Sequence, residues 1–190
     1  LSRALALDPA DPELHRILGI VQIKLHNDYE ASRNHHEMAM NLAPNDAYIL
    51  GRCAAFYTFV GEADRALDLL DRAAVLDPFL PVWIVEERIA ALYSLGRFED
   101  MSREARNLSF QTRRTRIYRS AARVALGNVA RAGDLIAEAL ADDSGLTIEY
   151  VISQELFQDG QVMQTLLDRV RAAGLPDGDL AGKQVVGPVS

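Results

Sequence analysis

A single cysteine, Cys53, is all the sequence offers for disulfide chemistry, so no intrachain disulfide can form and nothing calls for an oxidising compartment. Long apolar runs are missing as well. No stretch approaches the roughly 20 residues that span a bilayer, and no basic-then-apolar segment opens the chain. The expectation is a cytoplasmic chain with no membrane partner. Basic charge is in deficit: 20 Lys and Arg stand against 27 Asp and Glu, a net charge of −7 with pI near 5.1. That balance argues against a dedicated nucleic-acid binder, which needs a basic surface to neutralise phosphates, although a local basic patch stays open. Catalytic signatures are lacking too, with neither a nucleophile-elbow serine nor a glycine-rich phosphate loop. The four histidines, His15, His26, His35 and His36, include no i, i+4 pair. His35 and His36 point about 100° apart on a helix, so no metal site is expected and His36 is assigned a packing role. Cys53 reads as a small buried apolar group. The chain is therefore expected to be non-enzymatic on its own and to need no cofactor.

What is present is core material. Apolar residues make up 49% of the 190 residues and charged residues 25%, a globular composition sufficient for one or two domains or a solenoid of small units. The prolines set a period: Asp8-Pro9, Ala43-Pro44 and Asp77-Pro78 each close an Ala/Leu-rich stretch, at intervals of 35 and 34 residues. The segment Ala47 to Leu80 carries Leu50, Cys53, Ala54 and Tyr57, then Gly61, then Ala66, Leu70, Ala73 and Pro78. This matches the tetratricopeptide (TPR) pattern, whose period is about 34 residues. Small Ala54 and Ala66 admit a neighbouring helix while Leu50, Tyr57 and Leu70 fill the space around them. Gly61 suits the left-handed end of the first helix, and Pro78 cannot continue the second.

The other units follow more loosely. Leu14, Leu18, Gly19, Val21 and Leu25 are expected to form the inner stripe of a first helix, followed by a turn with one extra residue and by Ser32, His36 and Ala39. A third unit places Trp83, Ile89, Leu92, Gly96, Phe98, Ala105 and Leu108, and a fourth places Tyr118, Ala121, Leu126, Gly127, Ala132, Ile136 and Ala139. Upstream, Leu1, Ala4 and Pro9 fit the second helix of a repeat whose partner is missing, so the chain is expected to begin mid-repeat as part of something longer. The predicted architecture is all-α, a right-handed α-solenoid. Residues 1–11 end a truncated repeat, 12–140 form about four hairpins, 141–176 form capping helices and 177–190 form a flexible tail. Within the cap, Leu146 to Phe157 and Val162 to Ala173 read as helices, the second stopped by Gly174-Leu175-Pro176.

Three downstream segments narrow the resemblance: Ala91-Leu92-Tyr93-Ser94-Leu95-Gly96-Arg97-Phe98-Glu99-Asp100, Ala121-Ala122-Arg123-Val124-Ala125-Leu126-Gly127, and Leu166-Leu167-Asp168-Arg169-Val170-Arg171-Ala172-Ala173-Gly174-Leu175-Pro176. The series is similar to the C-terminal TPR region of bacterial class III adenylate/guanylate cyclases, and related arrays follow winged-helix domains in bacterial regulators. The resemblance implies a regulatory or docking array whose catalytic residues lie in another domain, so none is carried over here.

Two candidate sites follow. The first helices of the repeats should line a concave groove through Glu13, Arg16, Ile20 and Lys24, through Tyr48, Ala55, Thr58 and Phe59, and through Trp83, Glu86, Ala90 and Tyr93, with Arg114 and Ile117 extending it. An aromatic wall with charged edges suits a peptide segment or amphipathic helix of a partner protein or an adjacent domain. The alternative is that some of these aromatics pack between repeats. The second site is basic: Arg103, Arg106, Arg113, Arg114, Arg116, Arg119 and Arg123 face one acid, Glu104, in the same stretch. Guanidinium forks suit carboxylates and phosphates, so a nucleotide or nucleic-acid contact is the alternative function, against a solvated face paired with neighbouring acids such as Glu99, Asp100 and Asp134. A free-standing adaptor and a homodimer built on an exposed end of the stack are further alternatives.

Overall fold

A computed structural model describes residues 8–79 and 81–178. Leu1, Ala4, Leu80 and the tail beyond Gly178 lie outside the described residues. Among those described there are ten helices and no strand: α1 (Pro12–His26), α2 (Tyr29–Leu42), α3 (Ala47–Phe59), α4 (Ala63–Leu76), α5 (Val82–Ser94), α6 (Phe98–Arg106), α7 (Arg113–Ala125), α8 (Val129–Asp142), α9 (Ile148–Gln154) and α10 (Gly160–Ala172). None is long and apolar enough to cross a membrane. The helices fall into two compact units, residues 1–95 and 96–190, with the boundary inside the expected third hairpin.

Short polar side chains start the helices. Asp11 accepts from the Glu13 and Leu14 amides, Asp46 from those of Tyr48 and Ile49, and Thr112 and Asn128 each from one amide in the first turn of the helix that follows. Glu62 caps nothing at the start of α4. Its carboxylate is bound instead by Arg33 of α2 and Arg65 of α4, tying neighbouring hairpins together. The turns after α3 and α7 carry Gly61 and Gly127 at φ 81° and 77°, a left-handed conformation that glycine adopts without steric cost.

In the first unit, α1 pairs with α2 and α3 with α4, while α5 packs against both α3 and α4. All seven helical positions of the central repeat pattern, Leu50, Cys53, Ala54, Tyr57, Ala66, Leu70 and Ala73, are 0% exposed. The first hairpin solves the same packing with different residues. Gly19 lets the His36 ring lie so close that a Cβ there would stand 2.3 Å from its Cε1. His36 stacks on Phe56 at 4.6 Å between centroids, and its Nδ1 donates to the Ser32 carbonyl at 2.8 Å. Leu25 is not in the inner stripe: it is 72% exposed and Val21 is only half-buried. The buried face runs through Leu14, His15, Leu18, Gly19 and Ile23 instead, because the Gly19–His36 contact sets which side of α1 faces its partner. Asn27, in the left-handed region at φ 53°, ends α1 where the other hairpins use glycine.

In the second unit, α7 and α8 form a hairpin, α6 and α10 each pack against α7, and α9 packs against α10. Tyr118, Ala121, Ala132, Ile136 and Ala139 are buried, while Leu126, the residue that caps the end of α7, is 55% exposed. The expected helix from Leu146 to Phe157 shrinks to α9. Glu155 leaves helical geometry at φ −94°, ψ 117°, and its carboxylate is held by Arg114 and Tyr118. The last helix begins at Gly160, two residues earlier than expected, capped by Asp159, and Gly174 at φ 96° follows its end.

Candidate interaction surfaces

Three first-unit helices converge on one polar–aromatic cluster. Glu13 on α1 binds Arg16 through two hydrogen bonds of 2.6 Å and accepts from the Tyr48 hydroxyl of α3 at 3.3 Å. The Arg16 hydrogen bonds hold the Glu13 carboxyl below its ordinary range, and Glu13 in turn raises Arg16. Tyr48 meets Trp83 of α5 edge to face at 5.6 Å. Arg52, one turn after Tyr48 on α3, lays its guanidinium 3.8 Å from the centre of the Trp83 ring and 5.4 Å from that of Tyr48. Contacts of this kind contribute roughly 0.5–2 kcal/mol each according to desolvation.

Close approach of α3 and α5 makes the arrangement possible. Gly51 carries no side chain where a Cβ would lie 2.9 Å from Ile84 and 3.1 Å from the Trp83 ring. Arg52 makes no ion pair among the described residues, and its Nε is buried without a hydrogen-bond partner. The guanidinium is stacked on the two rings without an ion pair, and the Glu13 carboxylate is near enough to feel its charge.

The expected groove residues therefore separate. Tyr48, 41% exposed, and half-buried Trp83 are accessible, with Ala55 and Glu86 half-buried on the same two helices and Lys24 exposed at the end of α1. Arg16 is buried against Glu13, while Phe59 and Tyr93 are buried core residues and not part of an open aromatic wall. Arg52 was not among the expected groove residues. Its spacing of four from Tyr48 puts both on one helical face, and that signal was available in the sequence.

Beside this cluster lies a histidine pair. The His15 Nε2–H donates to the Pro9 carbonyl at 3.1 Å, which leaves His15 Nδ1 to accept from His35 Nδ1–H at 3.0 Å. Burial, and then the neighbouring His15, depress the His35 pKa. No group of three or more potential ligands for a metal ion occurs among the described residues. Burial pushes the Cys53 thiol up to about 12, which removes it as a nucleophile near neutral pH.

In the second unit most of the basic segment is neutralised. Arg113 pairs with Asp143 at 2.8 Å and lies over the Tyr150 ring, and Arg116 pairs with Asp142 and Glu138. Arg114 grips Glu155 through hydrogen bonds of 2.7 and 3.1 Å, and the Tyr118 hydroxyl donates to the same carboxylate at 2.7 Å. Arg103 pairs with Asp100. The acids that do this work lie mainly on and after α8, and Asp100 alone of the three expected partners takes part. Arg106, Arg119 and Arg123 have no such partner among the described residues. Comparison with protein-family models and with curated proteins returns no match for this chain.

Proposed function

We propose that this chain is a TPR-type helical array, of the α-solenoid kind, whose task is to hold a protein segment on the first-helix face of its first unit. The burial of all seven helical pattern positions between Leu50 and Ala73 supports the repeat assignment. The reading rests on the Tyr48–Arg52–Trp83 cluster, where accessible rings and an unpaired cation stand side by side across α3 and α5. Peptide recognition uses such surfaces: rings supply contact area at low entropic cost, and arginine orients a carbonyl or carboxylate. The segment belongs to another domain of the same polypeptide, such as a cyclase or winged-helix domain, or to a separate protein for which the chain is a free-standing adaptor. Both uses are cytoplasmic and neither requires catalysis or a cofactor in this chain.

Selection of short random peptides against the chain, with affinities then compared for Tyr48→Ala, Arg52→Ala and Trp83→Ala, tests the reading. Loss of one central aromatic or arginine anchor is expected to weaken a selected peptide by at least about tenfold. Peptides that bind all three variants as tightly as the parent chain would place the binding surface elsewhere.

A further inference from the structure

The basic segment of the second unit divides into used and unused charge. Arg103, Arg113, Arg114 and Arg116 are each matched to a carboxylate. Arg106, Arg119 and Arg123 form no ion pair among the described residues. Arg119 and Arg123 are four apart on α7 and so share a face. Gln111 links the two helices: it donates to the carbonyl of Ala105, the neighbour of Arg106 at the end of α6, and accepts from Arg119 at 3.0 Å, and the charge of Arg106 is felt at Arg119. The arrangement fastens the end of α6 to α7 and half-buries the Arg119 side chain.

Burial, and then the nearby charges of Arg123, Arg131 and Arg106, push the Arg119 guanidinium below its ordinary pKa, whereas Glu138 opposes the shift. Like charges gathered from three helices at a partly desolvated point are unfavourable, and Glu138 offsets only part of that repulsion at Arg119. Arg131 is itself paired with Asp134 at 3.2 Å and stands at the edge.

We propose that Arg106, Arg119 and Arg123 form a binding site for a phosphate-type oxyanion, either free phosphate or the phosphoryl group of a small ester. Three guanidiniums from two helices offer forked donors to an ion with three equivalent oxygens, a better match than a single carboxylate provides. The rim decides between a compact anion and a nucleic-acid strand. The neighbouring Arg103, Arg113, Arg114, Arg116 and Arg131 are already matched to carboxylates, so an extended polyanion finds no further unpaired cations among them, whereas a single phosphoryl group needs none. The site is independent of the peptide surface proposed above.

The test is a titration of the complete chain with inorganic phosphate at constant ionic strength, chloride being replaced, followed by arginine Nε–Hε NMR resonances and by thermal melting. Saturable shifts at Arg106, Arg119 and Arg123, unaccompanied by shifts at Arg103, are expected in the unmodified protein, together with a rise in Tm that levels off. Arg123→Gln is expected to weaken binding by about tenfold, the loss of one charge-assisted hydrogen-bonding partner, and Arg119→Gln by at least as much. A nucleoside monophosphate that binds more tightly than phosphate, with the same dependence on these arginines, identifies an ester as the natural ligand; equal affinity identifies the free ion. Linear, non-saturating shifts, or a saturable response that survives in the Arg119→Gln/Arg123→Gln chain, would overturn the proposal. So would tighter binding of a single-stranded oligonucleotide with a salt slope of several charges.

Discussion

His36 is a base packed in the core of the first hairpin, 1% exposed, and that makes the hairpin sensitive to acid. Burial lowers its pKa from 6.5 to about 4, so the folded chain refuses a proton that the unfolded chain accepts. Above about pH 7 both states are neutral at this site and the group makes no difference. As pH falls from 6.5 toward 4 the unfolded state gains the proton first, and stability drops by about 1.4 kcal/mol per pH unit, roughly 3 kcal/mol in all. His35, depressed in the same direction, adds to the loss. Urea denaturation of the parent chain and of His36→Phe at pH 7 and pH 4.5 checks this: the difference between them should shrink or reverse in the acid. A second prediction concerns the residue opposite. Gly19→Ala gains about 1 kcal/mol of helix propensity, but its Cβ would overlap a ring already stacked on Phe56. Overpacking of this sort costs about 1–3 kcal/mol, so a net fall in denaturation midpoint is expected, relieved by the double variant Gly19→Ala/His36→Ala.

Helices and turns were the most legible scale, because their signals are local. Gly61 and Gly127, both singled out by the sequence pattern, take the left-handed turns; the caps at Asp11, Asp46 and Thr112 are equally local signals that the repeat pattern did not single out. Small–large alternation placed Ala54 and Ala66 in the core with Leu50, Tyr57 and Leu70 around them, and all five are buried. Periodicity cannot tell where a partner helix stops, which is why Leu25 and Leu126, at helix ends, were assigned to the inside and stand in solvent. Nor can it see a contact 41 residues apart, and Arg114–Glu155 is such a contact, ending α9 early by holding Glu155 outside the helix. Glu155 is 4% exposed, so replacing Arg114 by Ala would strand a buried carboxylate and should cost about 3–5 kcal/mol of second-unit stability. Tyr118→Phe removes one hydrogen bond to the same group and should cost about 1–3 kcal/mol. Chemical denaturation followed by circular dichroism measures both, and equal effects would mean that the ion pair adds nothing beyond the hydroxyl.

Across the whole chain, the candidate surfaces came out narrower than the sequence suggested. Composition showed a basic segment inside an acidic chain, but only the structure sorts its arginines into those spent on Asp142, Asp143 and Glu155 and those left over. The expected groove lining contracts in the same way: Phe59 and Tyr93 are buried, and Arg52 joins Tyr48 and Trp83. The chain contains one tryptophan, and it is Trp83. Its fluorescence therefore reports from the proposed surface without a label. Titrating the chain with a selected peptide while recording Trp83 emission should give a saturable change whose midpoint matches the affinity measured independently. That midpoint should weaken by about tenfold or more in Arg52→Ala. A peptide that binds tightly yet leaves Trp83 emission unchanged, and binds Arg52→Ala equally well, would contradict recognition on this face.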